Sequence, residues 1–542
     1  MPAVRGTVQQ AFQHSVRKYA ENEFLCVLPA TAEQYAIEPQ AWSYGQAARE
    51  VARLQTMYVG AGLGHGHRVG LMLENRPAMF FHWLALNALG VSVVPINTEW
   101  RSAELAYLIE HSEVCVAVVP LQRAAGIALA ADLAGRKVVV TEPDLSGLCK
   151  VEMPAPLAGR VPDSDSECAL LYTSGTTGRP KGCVLSNEYF LWTGAWYGTV
   201  GGLCKLTRGE ERLITPLPMT HMNAMAASTM GMMLAGGCIV PLDRFHPSTW
   251  WNCVRESRAT IVHYLGVMPA LLLGAAPSPR DQDHNVRFGF GAGVSPRLHG
   301  QFEDRFGFPL LEAWAMTETG SGAVIIANRE PRKIGTSCFG RAEPRVEYRI
   351  VDEQGNNVPP GTPGELLVRH AGSEPAFGFF REYLQDPAAT AAAWEGGYFH
   401  TGDIVRVDAD GDFHFVDRKK NVIRRSGENI SAVEVESVLG QHPGVAAVGV
   451  CAVPDDVRGD EVMACIVPRG IVSDLETFAR NVVEFSLQRL AYFKAPGYVA
   501  LCEALPLTPT EKVQRAQLKE RAQALLSTAA CVDTRGLKRR SG

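Results

Sequence analysis

The sequence predicts an α/β protein. It is built as a large N-terminal domain of layered α/β sheets with a small β-rich subdomain, followed by a small C-terminal α/β domain. Three observations predict it. From about residue 40 to residue 320, helical patterns alternate with short β-branched runs such as "RVGLML", "VSVVPI", "VCVAVVP" and "ATIVHYLG", the signature of layered, largely parallel sheets. Between about 335 and 420, "EYRIVDEQGNNVPPGTPGELLVRH" and "DIVRVDADGDFHFVDR" are alternating strands broken by Gly, Asn, Asp and Pro, which predicts hairpins in a β-rich subdomain at about 335–419. The remaining residues, 420–542, are numerous enough to fold as a domain of their own. The N-terminal domain is thus assigned to 1–419.

Individual elements follow in order. "MPAVRGTVQQAFQHSVRKYA" reads as an amphipathic helix, because no apolar core follows its charges as a secretory signal would need. The longest apolar run, "AMFFHWLALNALGVSVVPI", is interrupted by His82, Asn87 and Gly90 and reads as a helix followed by a strand, not a membrane span. After residue 420, Ser431 and Glu434 form a Ser-x-x-Glu capping box, and Val435, Val438 and Leu439 give the helix it starts an apolar face. "VAAVGVCAVPD" and "VMACIVPR" read as a strand pair.

Composition narrows the function. At 46% hydrophobic and 20% charged residues the chain is a folded globular protein. A net charge of −5 without a basic block in the body of the chain disfavours nucleic acid as a partner. Thirteen cysteines without a C-x-x-C pair fit thiols in a reducing compartment, and a cytoplasmic location is expected. A homodimer is compatible with the sequence and not specified by it.

Four stretches carry chemistry. "YTSGTTGRPKG" at Tyr172–Gly182 packs glycines, hydroxyl side chains and Lys181 into one loop between two predicted strands, a composition suited to phosphate oxygens. Its flanks do not match the Walker pattern G-x-x-x-x-G-K-[ST], and a plain flexible linker is the competing reading. "EAWAMTETG" at Glu312–Gly320, "GYFHTGD" at Gly397–Asp403 with "DRKKNVIRRSGENIS" after it, and "LPLTPTEKVQR" at Leu505–Arg515 each have an ordinary explanation alone: a solvated carboxylate, a turn, a charged surface, a helix-face lysine.

Together and in order, these stretches resemble the adenylate-forming superfamily of acyl- and aryl-CoA synthetases, peptide-synthetase adenylation domains and luciferases. The resemblance runs from "WSYGQ" near residue 42 almost to the end. It implies that Thr173, Ser174, Gly175, Thr176, Thr177, Gly178 and Lys181 hold the β- and γ-phosphates of ATP. It places Gly291, Ala292 and Gly293 along the adenine, with Trp314 against the base, and Asp403 and Arg418 on the ribose hydroxyls. Thr317 and Glu318 are matched to the α-phosphate and Mg²⁺, and Lys512 to the catalytic lysine between acid and α-phosphate. The C-terminal domain then becomes a mobile lid hinged at Lys420, with Gly427 at the pantetheine tunnel of coenzyme A. His221 and Ala315 are matched to the acyl pocket.

The pattern looks most like the crotonobetaine/carnitine-CoA ligase branch and nearby fatty-acid-CoA ligases. Departures are Glu511 where Gly usually precedes the lysine, Asn421 for Asp after the hinge, and Trp314-Ala315 for Tyr-Gly. A small Ala315, where acetyl-CoA synthetases carry Trp, implies an acid larger than acetate. Met219, Met222 and Met225 around His221 read equally as pocket lining or as core. The expected activity is an ATP-dependent, AMP-forming acyl-CoA synthetase using coenzyme A and a small-molecule carboxylic acid larger than acetate, fatty-acid-like or carnitine/betaine-like. Its alternatives are an acyl-AMP ligase that loads a carrier protein and a non-catalytic nucleotide sensor; luciferase chemistry is disfavoured.

Overall fold

The computed structural model describes residues 6–148, 155–157, 159–173, 179–418, 422–506 and 513–539. The chain forms two compact units, one of Met1–Asn97, Ile109–Tyr172 and Gly182–Asp417, the other of Thr98–Leu108, Thr173–Lys181 and Arg418–Gly542. Two short earlier segments therefore group with the C-terminal residues, which no local pattern in the sequence signals. Lys420, the expected hinge, lies outside the described residues.

In the first unit the N-terminal helix is Val8–Tyr19. Thr7 accepts a hydrogen bond from the Gln10 backbone while the Gln10 side chain accepts from Thr7 N, a reciprocal cap that starts the helix where the apolar pattern begins. One sheet has eight strands in the order Ile325–Ile326, Leu310–Trp314, Phe288–Ala292, Ile261–Leu265, Arg212–Thr215, Cys238–Pro241, Glu23–Val27, Gln40–Ser43. Its interior is parallel, and antiparallel strands close both edges. A seven-stranded sheet carries the parallel run through Glu167–Thr173, Ser92–Pro95, Arg68–Leu71, Val116–Val118 and Val139–Thr141. Strands covered on both faces read as unbroken apolar runs, as Ser92–Pro95 and Cys238–Pro241 do. The long apolar stretch resolves into helix Pro77–Asn87 and strand Ser92–Pro95. His82 and Asn87, its polar interruptions, are buried but bonded, His82 to Tyr58 Oη and Pro143 O, Asn87 to Gln9 N and Asn187 Oδ1.

The β-rich part is a five-stranded sheet in which Val346–Val351 pairs antiparallel with Gly364–His370, and Phe399–Val407 lies beside Phe413–Arg418. At one end, Asp408, Asp410 and Asp412 of "DADGD" gather around Lys333, whose Nζ is 2.6, 2.6 and 3.1 Å from their carboxylates.

In the second unit, a sheet runs in the order Glu428–Ser431, Val422–Arg425, Gly459–Pro468, Tyr498–Leu501, Cys531–Asp533, with Val445–Asp455 also paired antiparallel to Gly459–Pro468. Ser431 caps helix Ala432–Leu439 by accepting from Glu434 N at 3.3 Å. The other half of the expected capping box is not made. Glu434 turns its carboxylate to the buried Lys494 ammonium at 2.7 Å, a charged partner in a dry site being worth more than a neutral backbone N–H. Val435 and Leu439 are fully buried and Val438 is half-buried. The twelve described cysteines are free thiols. Among the described residues no helix is long and apolar enough to cross a membrane.

Candidate active site

The glycine-rich loop leaves strand Glu167–Thr173 and enters strand Lys181–Ser186, so its two flanking strands stand where the sequence puts them. Thr173 and Lys181 are the last and first residues of those strands; Ser174, Gly175, Thr176, Thr177 and Gly178 lie outside the described residues. The loop's exit is fastened by Tyr107, whose hydroxyl donates to Pro180 O at 2.9 Å and whose ring lies 5.2 Å from the Arg179 guanidinium.

Gly291 and Ala292 end strand Phe288–Ala292, and Gly293 takes φ +81°, turning the chain out of the sheet. A Cβ on Gly291 would sit 2.2 Å from Tyr264 O, and one on Gly266 would sit 1.7 Å from Gly293 O, so both backbones need glycine to approach this closely. A residue to which the sequence reading gave no role holds the turn in place. Glu312, buried in strand Leu310–Trp314, accepts from Gly293 N at 2.8 Å, Val294 N at 3.2 Å and Tyr264 Oη at 2.6 Å. Burial, and then the Glu312 charge, push the Tyr264 phenol well up, so it stays a donor.

Trp314 ends the same strand, and its Nε1 donates to Asp403 Oδ2 at 2.8 Å. Asp403 is only 1% exposed, and its backbone N–H donates to Thr401 Oγ1 at 3.0 Å. The structure thus joins two predicted site residues 89 positions apart, an indole and an acceptor-only carboxylate. Thr317 O accepts from Tyr189 Oη at 2.9 Å. Glu318, 7% exposed, accepts at Oε1 from Tyr383 Oη at 2.9 Å, while its carbonyl accepts from Phe380 N at 2.8 Å. Burial, then the Glu318 charge, hold the Tyr383 phenol protonated. A buried carboxylate fixed by one donor keeps lone pairs for a hard cation, so Glu318 fits a Mg²⁺ ligand.

Of the residues expected at an acyl pocket, Ala315 and His221 are half-buried, whereas their neighbours Met219 and Met225 are core residues at 3% and 0% exposure. The segment after His221 is a π-helical turn, Asn223–Ser228. His263 anchors it from strand Ile261–Leu265. Burial pushes this imidazole down to about 3, so it is neutral. His263 Nδ1 lies 2.8 Å from both Asn223 Oδ1 and Ser228 Oγ, the Ser228 hydroxyl donates to Asn223 O, and Nε2 lies 2.9 Å from Tyr197 Oη. In the sequence, "ATIVHYLG" shows only a strand pattern.

In the second unit, Gly427 forms the tip of the hairpin Val422–Arg425/Glu428–Ser431 at φ +90°, next to Ser426 at φ +51°. Two successive residues at positive φ make the two-residue turn that matches strand twist. Arg418 ends strand Phe413–Arg418 with its side chain outside the described residues, and Lys512 lies outside them altogether.

Against known proteins, the family model described as AMP-binding enzyme matches residues 12–384, and that of the AMP-binding enzyme C-terminal domain matches 434–512. Crotonobetaine/carnitine–CoA ligase of Escherichia coli O8 is 31% identical over 498 residues, covering 88% of this chain and 93% of that protein. Among solved structures, o-succinylbenzoate CoA synthetase from Bacillus subtilis shares the fold with a TM-score of 0.80 at 23% identity, over 95% of this chain and 98% of that one. ATP-bound MatB from Rhodopseudomonas palustris has a TM-score of 0.64 at 25% identity, over 95% and 99%.

Proposed function

Because the chain belongs to the AMP-binding enzyme family, we propose that it is an ATP-dependent, AMP-forming acyl-CoA synthetase for a carboxylic acid larger than acetate, fatty-acid-like or carnitine/betaine-like. The observation that carries this reading is the buried Trp314–Asp403 pair at 2.8 Å. An aromatic edge fixed to an acceptor-only carboxylate suits an adenine ring and a ribose diol, and neither a plain core nor a solvated turn calls for it. Arg418 joins Asp403 at the ribose in this reading, and Gly291–Gly293 borders the base on a backbone that Glu312 holds rigid. Thr173, Lys181 and the intervening loop take the β- and γ-phosphates.

The chemistry is a problem of like charges. The acid's carboxylate must attack an anionic α-phosphate and expel pyrophosphate, forming an acyl-adenylate that the thiol of coenzyme A then attacks, releasing AMP. Lys512 supplies the cation at the first junction. At about 4 Å and an effective dielectric near 20 one such contact is worth on the order of 4 kcal/mol, or roughly a thousandfold in rate. Mg²⁺ at Glu318 offsets triphosphate charge when bound. Thr317, its carbonyl tied to Tyr189, is the α-phosphate contact in this reading. The lid, residues 420–542, turns about Lys420 between the two half-reactions, and Gly427 leaves room for pantetheine. Ala315 gives the acyl pocket depth and His221 lines it. Twelve free thiols support a reducing compartment, and we place the protein in the cytoplasm.

The test is a panel of short, long, aromatic, alicyclic and betaine-like acids assayed for AMP release with ATP, Mg²⁺ and coenzyme A. Release that depends on both an acid and coenzyme A is expected; background release across the panel would overturn the reading. Lys512→Ala should abolish acid-dependent pyrophosphate exchange yet leave thioester formation from supplied acyl-AMP largely intact. Equal loss of both steps would contradict its role.

A further inference from the structure

The chain does not end at its last family-matched residue, 512. After helix Arg515–Leu525 the tail adds a strand, Cys531–Asp533, antiparallel to Tyr498–Leu501, and a short 3₁₀ turn, Arg535–Leu537. Thr534 fastens it through N to Gly497 O and through Oγ1 to Pro496 O, both at 2.9 Å. Arg535 adds ion pairs to Asp533 and Asp455. This docking delivers Lys538 into the unit's interior, where its Nζ reaches Glu461 Oε1 at 2.5 Å. The side chains of Lys538 and Glu461 are both 0% exposed.

Glu461 also receives Arg425 Nε at 2.9 and 2.8 Å on its two oxygens. Arg425 is the last residue before the Ser426–Gly427 turn. The hairpin bearing that turn is also tied to the strand beside it by the Arg425–Gly459 pair, Arg424 N to Asp460 Oδ2 at 2.9 Å and Ser426 N to Arg458 O at 2.9 Å, and Ile423 and Ile430 seat its base in the core. Room for the carboxylate exists only because residue 497 is glycine, since a Cβ there would lie 2.5 Å from Glu461 Cδ.

We infer that the C-terminal tail is a strap whose Lys538, through Glu461 and Arg425, positions the Ser426–Gly427 turn for the thiol-accepting half of the reaction. Lys538 is thereby a positioning residue that touches no substrate. This rests on the acyl-CoA synthetase reading, which places Gly427 beside pantetheine. One buried carboxylate between two basic side chains explains the arrangement: Arg425 satisfies the charge, and the Lys538 donor fixes which way the carboxylate, and hence the guanidinium, points. Burial, and then the neighbouring Arg425, pull the Lys538 ammonium down to about 7, so a neutral residue at 538 is tolerated: Arg425 and Glu461 still balance.

The test uses the full chain carrying Lys538→Met, with Lys538→Arg as the conservative control and the most active acid of the panel as substrate. Lys538→Met should raise the KM for coenzyme A about tenfold while ATP–pyrophosphate exchange stays within twofold. Hydrogen exchange should rise at the amides of Ser426, Gly427 and Glu428 and not in helix Ala432–Leu439, and Lys538→Arg should restore most of the KM. Unchanged KM and unchanged exchange in the hairpin would overturn the inference, as would an equal fall in both half-reactions. A wild-type protein that forms no thioester would instead sink the reading beneath it, and the hydrogen-exchange result would still decide whether Lys538 holds the turn.

Discussion

Glu312→Gln is the perturbation that best separates a positioned nucleotide site from a merely folded one. The carboxylate accepts three hydrogen bonds, from Tyr264 Oη at 2.6 Å, Gly293 N at 2.8 Å and Val294 N at 3.2 Å, in a position only 7% exposed. An amide of the same shape keeps one acceptor oxygen and turns an NH₂ group toward donors, so at least one buried N–H or O–H loses its partner. Hydrogen bonds to a charged group contribute about 1.5–3 kcal/mol each, and an unsatisfied buried donor costs about 1–3 kcal/mol, which sums to roughly 2.5–6 kcal/mol divided between fold and site. The site's share appears as displacement of Gly293, and misplacement on the order of 1 Å costs up to about a hundredfold. The assay is acid-dependent ATP–pyrophosphate exchange with ATP varied, alongside urea unfolding. We expect the KM for ATP to rise about 10- to 100-fold and the unfolding midpoint to fall. A variant with both within error of wild type would show that Glu312 does not set the turn, and the claim that this backbone borders the adenine would lose its physical support.

Other predictions are as direct. Gly266→Ala forces a Cβ to within 1.7 Å of Gly293 O, so the variant should be less stable by several kcal/mol, about 3 or more, with weakened ATP binding; a wild-type urea midpoint would refute the close approach. Ala315→Trp should remove activity on the longer acids of the panel while sparing the shortest, and if long acids survive unharmed the pocket lies elsewhere. Acid should loosen the first unit through Glu303. Burial would raise its pKa, but hydrogen bonds from Arg332 and His299 outweigh burial and hold it at about 2, against 4.5 for the free side chain. A carboxyl with a depressed folded pKa stabilises above the unfolded value, so about 3 kcal/mol should be lost as pH falls from 4.5 toward 2. Arg332→Gln should flatten that part of a stability-versus-pH curve.

Legibility in the sequence followed locality. The N-terminal amphipathic helix, the strand flanks of the glycine-rich loop and the break between Asn87 and Ser92 are written within a few residues, and each stands where the pattern put it. Asp403 and Trp314 could be singled out by motif, but their bond spans 89 positions and no window contains it. Glu312 escaped because a carboxylate inside "LLEAW" has no partner in view; its donors sit 18, 19 and 48 residues away. His263 escaped for the same reason. Glu434 shows the opposite error: Ser-x-x-Glu is a true local signal, and a lysine sixty residues on outcompeted half of it. The strap is harder still, since "GLKRRSG" looks like a solvated basic tail until Glu461 is seen.

The Lys333 knot changes how chelation experiments on this protein will read. Three aspartates in an alternating acidic loop are the usual bait for calcium, yet the chain's own Lys333 ammonium sits among all three and, with Arg341 on Asp412, offsets most of their charge. EDTA is therefore expected to leave the fold of that corner unchanged. If the chelator silences the enzyme while its melting curve stays put, the lost ion was travelling with the nucleotide.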